Sequence, residues 1–140
     1  MNAMLSIWFY GLGGAIFAAL GLLHGAFTLA DLSRPRRLVP HDPALKAAME
    51  TSGVRLAGNG TTMWRAWVGF NLSHSLGAIV FGLGATALGW PGLELPAVAA
   101  WLPAVIGAAY LGIGLHCWFK LPNAGIAIAS ACFVAGALLR

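Results

Sequence analysis

Four long apolar stretches without a single charged residue constrain the fold of this chain more than any other feature of its sequence. They cover approximately residues 6–30, 67–88, 97–119 and 124–139. A helix needs about 20 mostly apolar residues to cross a bilayer, and the shortest stretch meets this need only if the bilayer thins or its flanking side chains reach the interface. We therefore predict an all-α integral membrane four-helix bundle, with residues 1–140 forming a single transmembrane domain.

The composition argues against a water-soluble domain. Hydrophobic residues make up 59% of the chain and charged residues only 9%, whereas soluble domains carry about 25% charged residues. The net charge of +4 does not indicate nucleic acid, because the basic residues crowd into one short connection beside apolar stretches. Such crowding is typical of a loop that lies against anionic headgroups, so membrane lipids are the expected partners.

The distribution of basic residues predicts the orientation of the chain. The first connection and its end contain Arg34, Arg36, Arg37, Lys46, Arg55 and Arg65. The third connection carries Lys120, the second carries only the acidic Glu94, and Arg140 is the one basic residue on the other side. Since short basic loops stay in the cytoplasm, we predict a multi-pass protein of the inner (plasma) membrane with its first loop cytoplasmic and both termini on the outer side.

The first connection also contains a short helix signal. Asp42 is a suitable N-cap, Pro43 suits the first helical position, and Gly53 is the expected stop. One face of this helix would carry Leu45, Ala48, Met49 and Ser52. The pattern predicts a short amphipathic helix that lies on the cytoplasmic surface of the membrane.

Three of the four histidines lie inside the predicted spans, near the same membrane face. At 1.5 Å per residue, His74 lies about 10 Å from the start of the second span, while His24 and His116 lie about 9 Å and 5 Å from the ends of the first and third. Asn71 and Ser75 flank His74 at helical spacing. Because an unpaired polar group facing lipid costs several kcal/mol, we expect these side chains to point inward together.

Small residues mark the faces that we expect to pack. The strips are Gly14, Ala18, Gly21 and Gly25 beside His24; His74, Ala78, Gly82 and Thr86; and Ala104, Ala108, Gly112 and His116. Small residues at every fourth position let membrane helices approach closely, so each histidine is expected on or beside a packing face. The resulting candidate ligand-binding residues are His24, Asn71, His74, Ser75 and His116, with Trp67 at the rim.

Several roles are open for this polar layer. Its side chains can simply join helices by hydrogen bonds. Alternatively, His24, His74 and His116 can bind a metal ion, and histidines on opposing helices can ligate haem b. A quinone-like or lipid-like molecule is a further alternative. Ion or solute transport is disfavoured, because no Asp or Glu lies inside any predicted span.

The segment that begins "MWRAWVGFNLSHSLG", which follows the loop "RRLVPHDPALKAAMETSG", resembles a family of small four-helix bacterial membrane proteins. The shared features are a basic loop, a short Asp-x-x-Leu helix and a W-x-A-W-x-G-F-N-x-S-H-S motif at the start of the second span. The resemblance covers most of the chain. It implies the four-helix architecture and a bacterial origin, and no activity is carried over with it.

These observations favour a non-enzymatic integral membrane subunit or binding module with a His/Asn/Ser polar layer near the cytoplasmic side. The alternative is a small membrane enzyme or redox protein that uses haem, a metal ion or a quinone-like or lipid-like ligand at the same histidines, so whether the chain is an enzyme stays open. Other membrane subunits or further copies of the chain are the expected protein partners, because small-residue helix faces allow close contact.

Overall fold

The structure is a computed structural model that describes residues 2–57, 60–90, 92–93 and 96–140. Within these residues the secondary structure consists of helices and one isolated β-bridge. The α-helices are α1 (Asn2–Ser33), α2 (Pro43–Thr51), α3 (Met63–Leu88), α4 (Ala97–Cys117) and α5 (Lys120–Leu138). The four longer helices are long and apolar enough to cross a membrane, which agrees with the predicted multi-pass, all-helical class. Glu94 of the second connection lies outside the described residues.

The helix ends differ from the predicted ones where local backbone chemistry intervenes. Helix α1 has 32 residues and is about 48 Å long, which exceeds the hydrocarbon thickness of about 30 Å. Helix α4 stops at Cys117 because Trp118 adopts an extended conformation, and α5 begins at Lys120, directly after the extended Phe119. The fourth apolar helix therefore gains residues at its start and reaches 19.

The chain divides into two compact units, and the first consists of Met1–Leu20 and Ala78–Arg140. Its core contains Tyr10, Phe17, Ala85, Ala104, Ile126, Ala129 and Phe133. The Phe17 ring lies at the centre, with the ring centroids of Phe81 and Tyr110 at 4.7 Å and 5.4 Å in edge-to-face arrangements. Aromatic rings from four helices thus interlock in this unit, which is the packing that edge-to-face geometry favours.

Helices α1 and α3 approach closely at glycines in the first unit. A Cβ added to Gly14 would collide with the Thr86 hydroxyl and the Gly82 carbonyl oxygen, and one added to Gly82 would lie 2.6 Å from the Ala18 backbone nitrogen. Both glycines are buried. The small-residue faces predicted for the first and second spans are therefore confirmed as packing faces within the chain, because only glycine permits this backbone contact.

The packing face of α4 is not the predicted one. Its buried residues are Ala100, Pro103, Ala104, Gly107 and Gly114, whereas Ala108, Gly112 and His116 are exposed. Gly107 faces Ser130 of α5, whose Oγ would lie 2.6 Å from an added Cβ. Residues four positions apart differ in direction by about 40° around an α-helix. The predicted strip therefore starts at the buried Ala104 and turns away from the buried face at Ala108 and Gly112.

Polar contacts join the ends of the helices in this unit. Ser6 donates a hydrogen bond of 2.7 Å to the Gly136 carbonyl, and the Tyr10 hydroxyl donates to the Ala100 carbonyl. The Arg140 guanidinium donates to the carbonyls of Leu88 and Leu93. Since the last carbonyls of a helix have no partner within it, Arg140 satisfies a polar group at the end of α3.

The second unit, Gly21–Gly77, contains the end of α1, the first connection and the start of α3. The Asp42 carboxylate accepts a hydrogen bond from the Ala44 N–H, so the predicted N-cap of α2 is confirmed. The helix stops before Gly53, as predicted, although its last residue is Thr51 and Ser52 forms the C-cap. It ends there because Ser52 is extended, and Gly53 pairs with Thr62 in the β-bridge.

The predicted apolar face of α2 is not buried in the part of the chain that the structure describes. None of the helix residues is buried, and Leu45 is 54% exposed. The Lys46 ammonium lies 4.8 Å from the centroid of the Trp64 ring and forms an ion pair with Glu50. The helix is therefore tied to the start of α3 through a cation–π contact, while its placement on a membrane surface stays a prediction.

Candidate functional site

A cluster of polar side chains lies in the second unit, between the end of α1 and the start of α3. The two helices come close here because Gly25 faces Ser75, whose Cβ would lie 3.3 Å from an added glycine Cβ. This approach brings His24 of α1 within reach of Asn71 and His74 of α3. We refer to His24, Asn71 and His74 as the histidine–asparagine site.

The central contact joins two residues that are 47 positions apart in the sequence. The His24 Nε2 atom and the Asn71 Oδ1 atom are separated by 2.8 Å. The Asn71 amide nitrogen donates a second hydrogen bond, of 2.7 Å, to the Trp67 carbonyl, which fixes the orientation of the amide group. An amide oxygen can only accept, so His24 Nε2 carries the proton in this contact. In a neutral ring, Nδ1 then has the lone pair and is a hydrogen-bond acceptor.

The polar groups next to this contact are satisfied by their own helices. The Ser75 hydroxyl donates to the Asn71 carbonyl at 2.8 Å, and the Thr28 hydroxyl donates to the His24 carbonyl at 2.9 Å. Thr28, Asn71 and Ser75 are all buried. The predicted inward orientation of Asn71 and Ser75 is therefore confirmed within this unit, and their hydrogen bonds remove the cost of burial.

The second histidine of the site lies against the first. The ring centroids of His24 and His74 are 5.3 Å apart, with the rings nearly perpendicular, and the Phe70 ring stacks on His74 at 6.2 Å. Both imidazoles are half-buried, and Phe70 is 66% exposed. The site is therefore reachable from the surface of the unit beside an exposed aromatic ring.

A hydrogen-bonded path connects the site to the first loop. The Trp67 indole N–H donates to the Leu38 carbonyl at 3.0 Å. Leu38, Arg36 and Arg37 in turn donate their backbone N–H groups to the Asp31 carboxylate, at 2.6 to 3.2 Å. Asp31 is 3% exposed, so this carboxylate is held by the backbone of the loop.

Asp31 and the Leu38 carbonyl are the parts of this arrangement that the sequence analysis missed. A carboxylate that accepts several backbone N–H groups organises a loop in the same way as a helix cap. The sequence did indicate this role, since Asp31 is the one acidic residue at the end of the first apolar stretch and a Pro-containing turn follows it. Which backbone atoms the carboxylate would reach depends on the loop conformation, which no sequence pattern specifies.

His116 is placed differently from the other two histidines. It is exposed near the end of α4, which belongs to the first unit. His24 and His74 belong to the second unit and contact each other. The role predicted for His116 in a shared polar layer therefore stays a prediction.

The residues of the site do not fit haem or a three-ligand metal centre. Within the described ranges, no group of three or more His, Cys, Asp or Glu side chains could hold a metal ion. His24 Nε2 is engaged by Asn71, and the edge-to-face contact of the two imidazoles leaves no space for a macrocycle between them. Bis-histidine haem needs one ring on each side of the iron.

Comparisons with known proteins give no match: no family model, no curated protein and no solved structure resembles the chain significantly. The resemblance of the Trp64–Ser75 motif to a family of bacterial membrane proteins therefore stays a prediction.

Proposed function

We propose that this chain is a non-enzymatic, multi-pass binding protein of the bacterial inner membrane, and that the histidine–asparagine site holds a small lipid-like or quinone-like molecule. The observation that carries the proposal is the 2.8 Å contact between His24 and Asn71, with the His74 ring 5.3 Å from His24. Apolar pockets with a few convergent polar groups are the usual form of small-molecule sites.

The hydrogen-bonding pattern indicates which part of the ligand the site would recognise. Asn71 uses its amide nitrogen for the Trp67 carbonyl and its oxygen for His24. The proton on His24 Nε2 leaves Nδ1 as the acceptor in a neutral ring. A hydroxyl group on an otherwise apolar molecule, such as a quinol or a lipid alcohol, matches that acceptor. The half-buried rings favour a ligand that approaches from the surrounding lipid.

The test examines what accompanies the purified protein. Protein extracted in mild detergent should retain a small amphipathic molecule that organic extraction and mass spectrometry identify. In His24→Gln the amide nitrogen can still donate to Asn71 while the imidazole is lost, so the variant should fold normally and lose most of that molecule. His41→Gln is the matched control, because His41 is exposed in the loop.

Two results would refute this binding function. One is the absence of any retained small molecule from the wild-type protein. The other is equal retention by the wild type and His24→Gln, which would leave hydrogen bonding between helices as the role of the site. An absorption spectrum of the same sample tests the alternative of a redox protein or enzyme, since haem would give an intense Soret band.

The proposed orientation places the first loop in the cytoplasm and both termini outside. Its support is the basic character of that loop, because positively charged short loops are retained on the cytoplasmic side. Replacing Cys117 and Cys132 with serine and introducing Leu56→Cys gives one reactive position, since Leu56 is 98% exposed. A membrane-impermeant maleimide should label this cysteine only after the cells are opened. Labelling of intact cells would reverse the orientation.

We also propose that other membrane subunits or further copies of the chain cover the exposed small-residue face of α4. Ala108 and Gly112 lie on that face, and a Cβ added to Gly112 would meet nothing within 4 Å. Such faces allow close helix contact in lipid. Light scattering of the detergent complex should give a mass above that of one chain, and Gly112→Leu should lower it. A monomeric wild type that purifies alone would contradict this part.

A further inference from the structure

The loop after α1 presents three arginines that form no salt bridge with a carboxylate in the described part of the chain. Arg34, Arg36 and Arg37 are all exposed. The ion pair found in the described residues joins Lys46 to Glu50, elsewhere in the connection. Asp31 is the nearest acid in sequence. It accepts the backbone N–H groups of the loop and forms no salt bridge among the described residues, although its carboxylate interacts electrostatically with Arg37. The positive charge of these arginines is therefore available to an external anion.

The same loop has an ordered backbone. Asp31 is buried and accepts from three consecutive N–H groups, those of Arg36, Arg37 and Leu38. The Leu38 carbonyl then accepts from the Trp67 indole, which ties the other side of the loop to α3. A loop that is already ordered loses less conformational entropy when it binds, so its arginines are prepared for a ligand.

One cation–π contact and the nearby Trp67 indicate the level of these arginines along the membrane normal. The guanidinium carbon of Arg37 lies 4.6 Å from the centroid of the Phe27 ring, on the helix that precedes the loop. Phe27 and Trp67 are 36% and 40% exposed. Tryptophan and the charged ends of arginines concentrate at the boundary between hydrocarbon and headgroups. This is the level at which lipid phosphates lie.

We infer that Arg34, Arg36 and Arg37, on the loop held by Asp31, form a binding site for the headgroup phosphate of an anionic phospholipid. Guanidinium groups recognise phosphate through paired hydrogen bonds, which an ammonium group does not provide in the same geometry. Anionic lipid is the favoured source of the phosphate because the loop follows a membrane-spanning helix directly. This site is separate from the histidine–asparagine site and does not depend on a ligand there.

The experiment measures the affinity of the full chain in neutral detergent for tail-labelled phosphatidylglycerol, by fluorescence anisotropy, with tail-labelled phosphatidylcholine as the reference lipid. Each arginine near an anionic surface contributes about a fivefold factor in affinity. The double variant Arg36→Gln/Arg37→Gln should therefore lower the affinity for phosphatidylglycerol by about 25-fold and leave that for phosphatidylcholine unchanged.

The matched control is Arg55→Gln/Arg65→Gln, which removes the same charge from two other exposed positions, one in the connection and one at the start of α3. It should change the affinity by no more than about twofold. Asp31→Asn keeps all three arginines and should weaken binding several-fold, because the loop loses its order. Inorganic phosphate at millimolar concentration should not displace the lipid.

Each opposite result overturns a defined part of the inference. Equal affinity of the wild type for the two lipids removes the site. An equal loss in the control variant replaces a defined site with general charge attraction. Displacement by inorganic phosphate assigns the arginines to a soluble anion, and unchanged affinity in Asp31→Asn removes the positioning role of Asp31. Thermal unfolding of each variant in detergent verifies that the compared proteins are folded.

Discussion

Replacing Gly82 with alanine tests whether the close approach of α1 and α3 stabilises the protein. A Cβ at this position would lie 2.6 Å from the Ala18 backbone nitrogen and 3.1 Å from the Ala18 side chain, and would also collide with the Gly14 carbonyl oxygen. The nearest obstacles are backbone atoms, which no rotamer change can move. The two helices must therefore separate, and overpacking of this kind costs about 1–3 kcal/mol.

The matched control lies two residues further along the same helix. Gly84 is exposed, and an added Cβ there would meet nothing within 4 Å. Alanine is favoured over glycine in a helix by about 1 kcal/mol, and this gain applies to both variants. Gly84→Ala should consequently stabilise the protein by up to about 1 kcal/mol. Gly82→Ala should be less stable than Gly84→Ala by about 1–3 kcal/mol, the cost of overpacking.

The assay is reversible unfolding of the purified chain in mixed micelles, in which denaturing detergent is titrated and helix content is followed by circular dichroism. The free energies of unfolding of the wild type and the two variants are compared under one set of conditions. Equal stability of Gly82→Ala and Gly84→Ala would show that the helices do not meet at Gly82. Gly14→Ala should lower the free energy of unfolding in the same way, because Gly14 faces Gly82 and Thr86 in the same helix contact.

Further substitutions test the packing and polar contacts, two pairs of them in the same unfolding assay and one by hydrogen exchange. Phe17→Ala should cost about 3–5 kcal/mol, because Phe17 is 1% exposed, and an equal cost for the 66% exposed Phe70→Ala would refute the assigned core. Ser6→Ala should cost about 1 kcal/mol through the lost hydrogen bond to Gly136. Ser130→Ala should be neutral or stabilising, because the buried Ser130 hydroxyl has no hydrogen-bond partner among the described residues; the reverse order would contradict this assignment. Asp31→Asn should speed amide hydrogen exchange in the loop after α1, and unchanged exchange would mean that the carboxylate does not order it.

The elements that the sequence predicted correctly depend on local properties. Four apolar stretches are confirmed as long apolar helices, and the Asp42 cap with Pro43 is confirmed at the start of α2. Length, hydropathy and capping chemistry are properties of neighbouring residues, so they can be read without knowing the rest of the fold. Helix α2 ends before Gly53, with the extended Ser52 as its C-cap, so Ser52 lies outside the helix whose apolar face was predicted to include it.

The packing faces were predicted correctly only where one face was distinctive. Glycines at Gly14 and Gly82 meet across α1 and α3 as expected. In α4 small residues occur on more than one face, and the buried one contains Gly107 in place of Ala108 and Gly112. In a membrane, exposing an apolar helix face to lipid costs no free energy. Hydrophobicity therefore does not distinguish the buried face of α4 from the exposed one.

The sequence by itself determined the class of this protein, since uninterrupted apolar length requires helices whose backbone groups bond internally in lipid. It also identified His24, Asn71 and His74 as polar residues that need partners. Only the tertiary structure decided which partners they have, because the bond from His24 to Asn71 joins residues 47 positions apart. Only the tertiary structure also decided the partners of Asp31. Its carboxylate orders the loop after α1 through backbone contacts that arise only once the chain has turned back on itself.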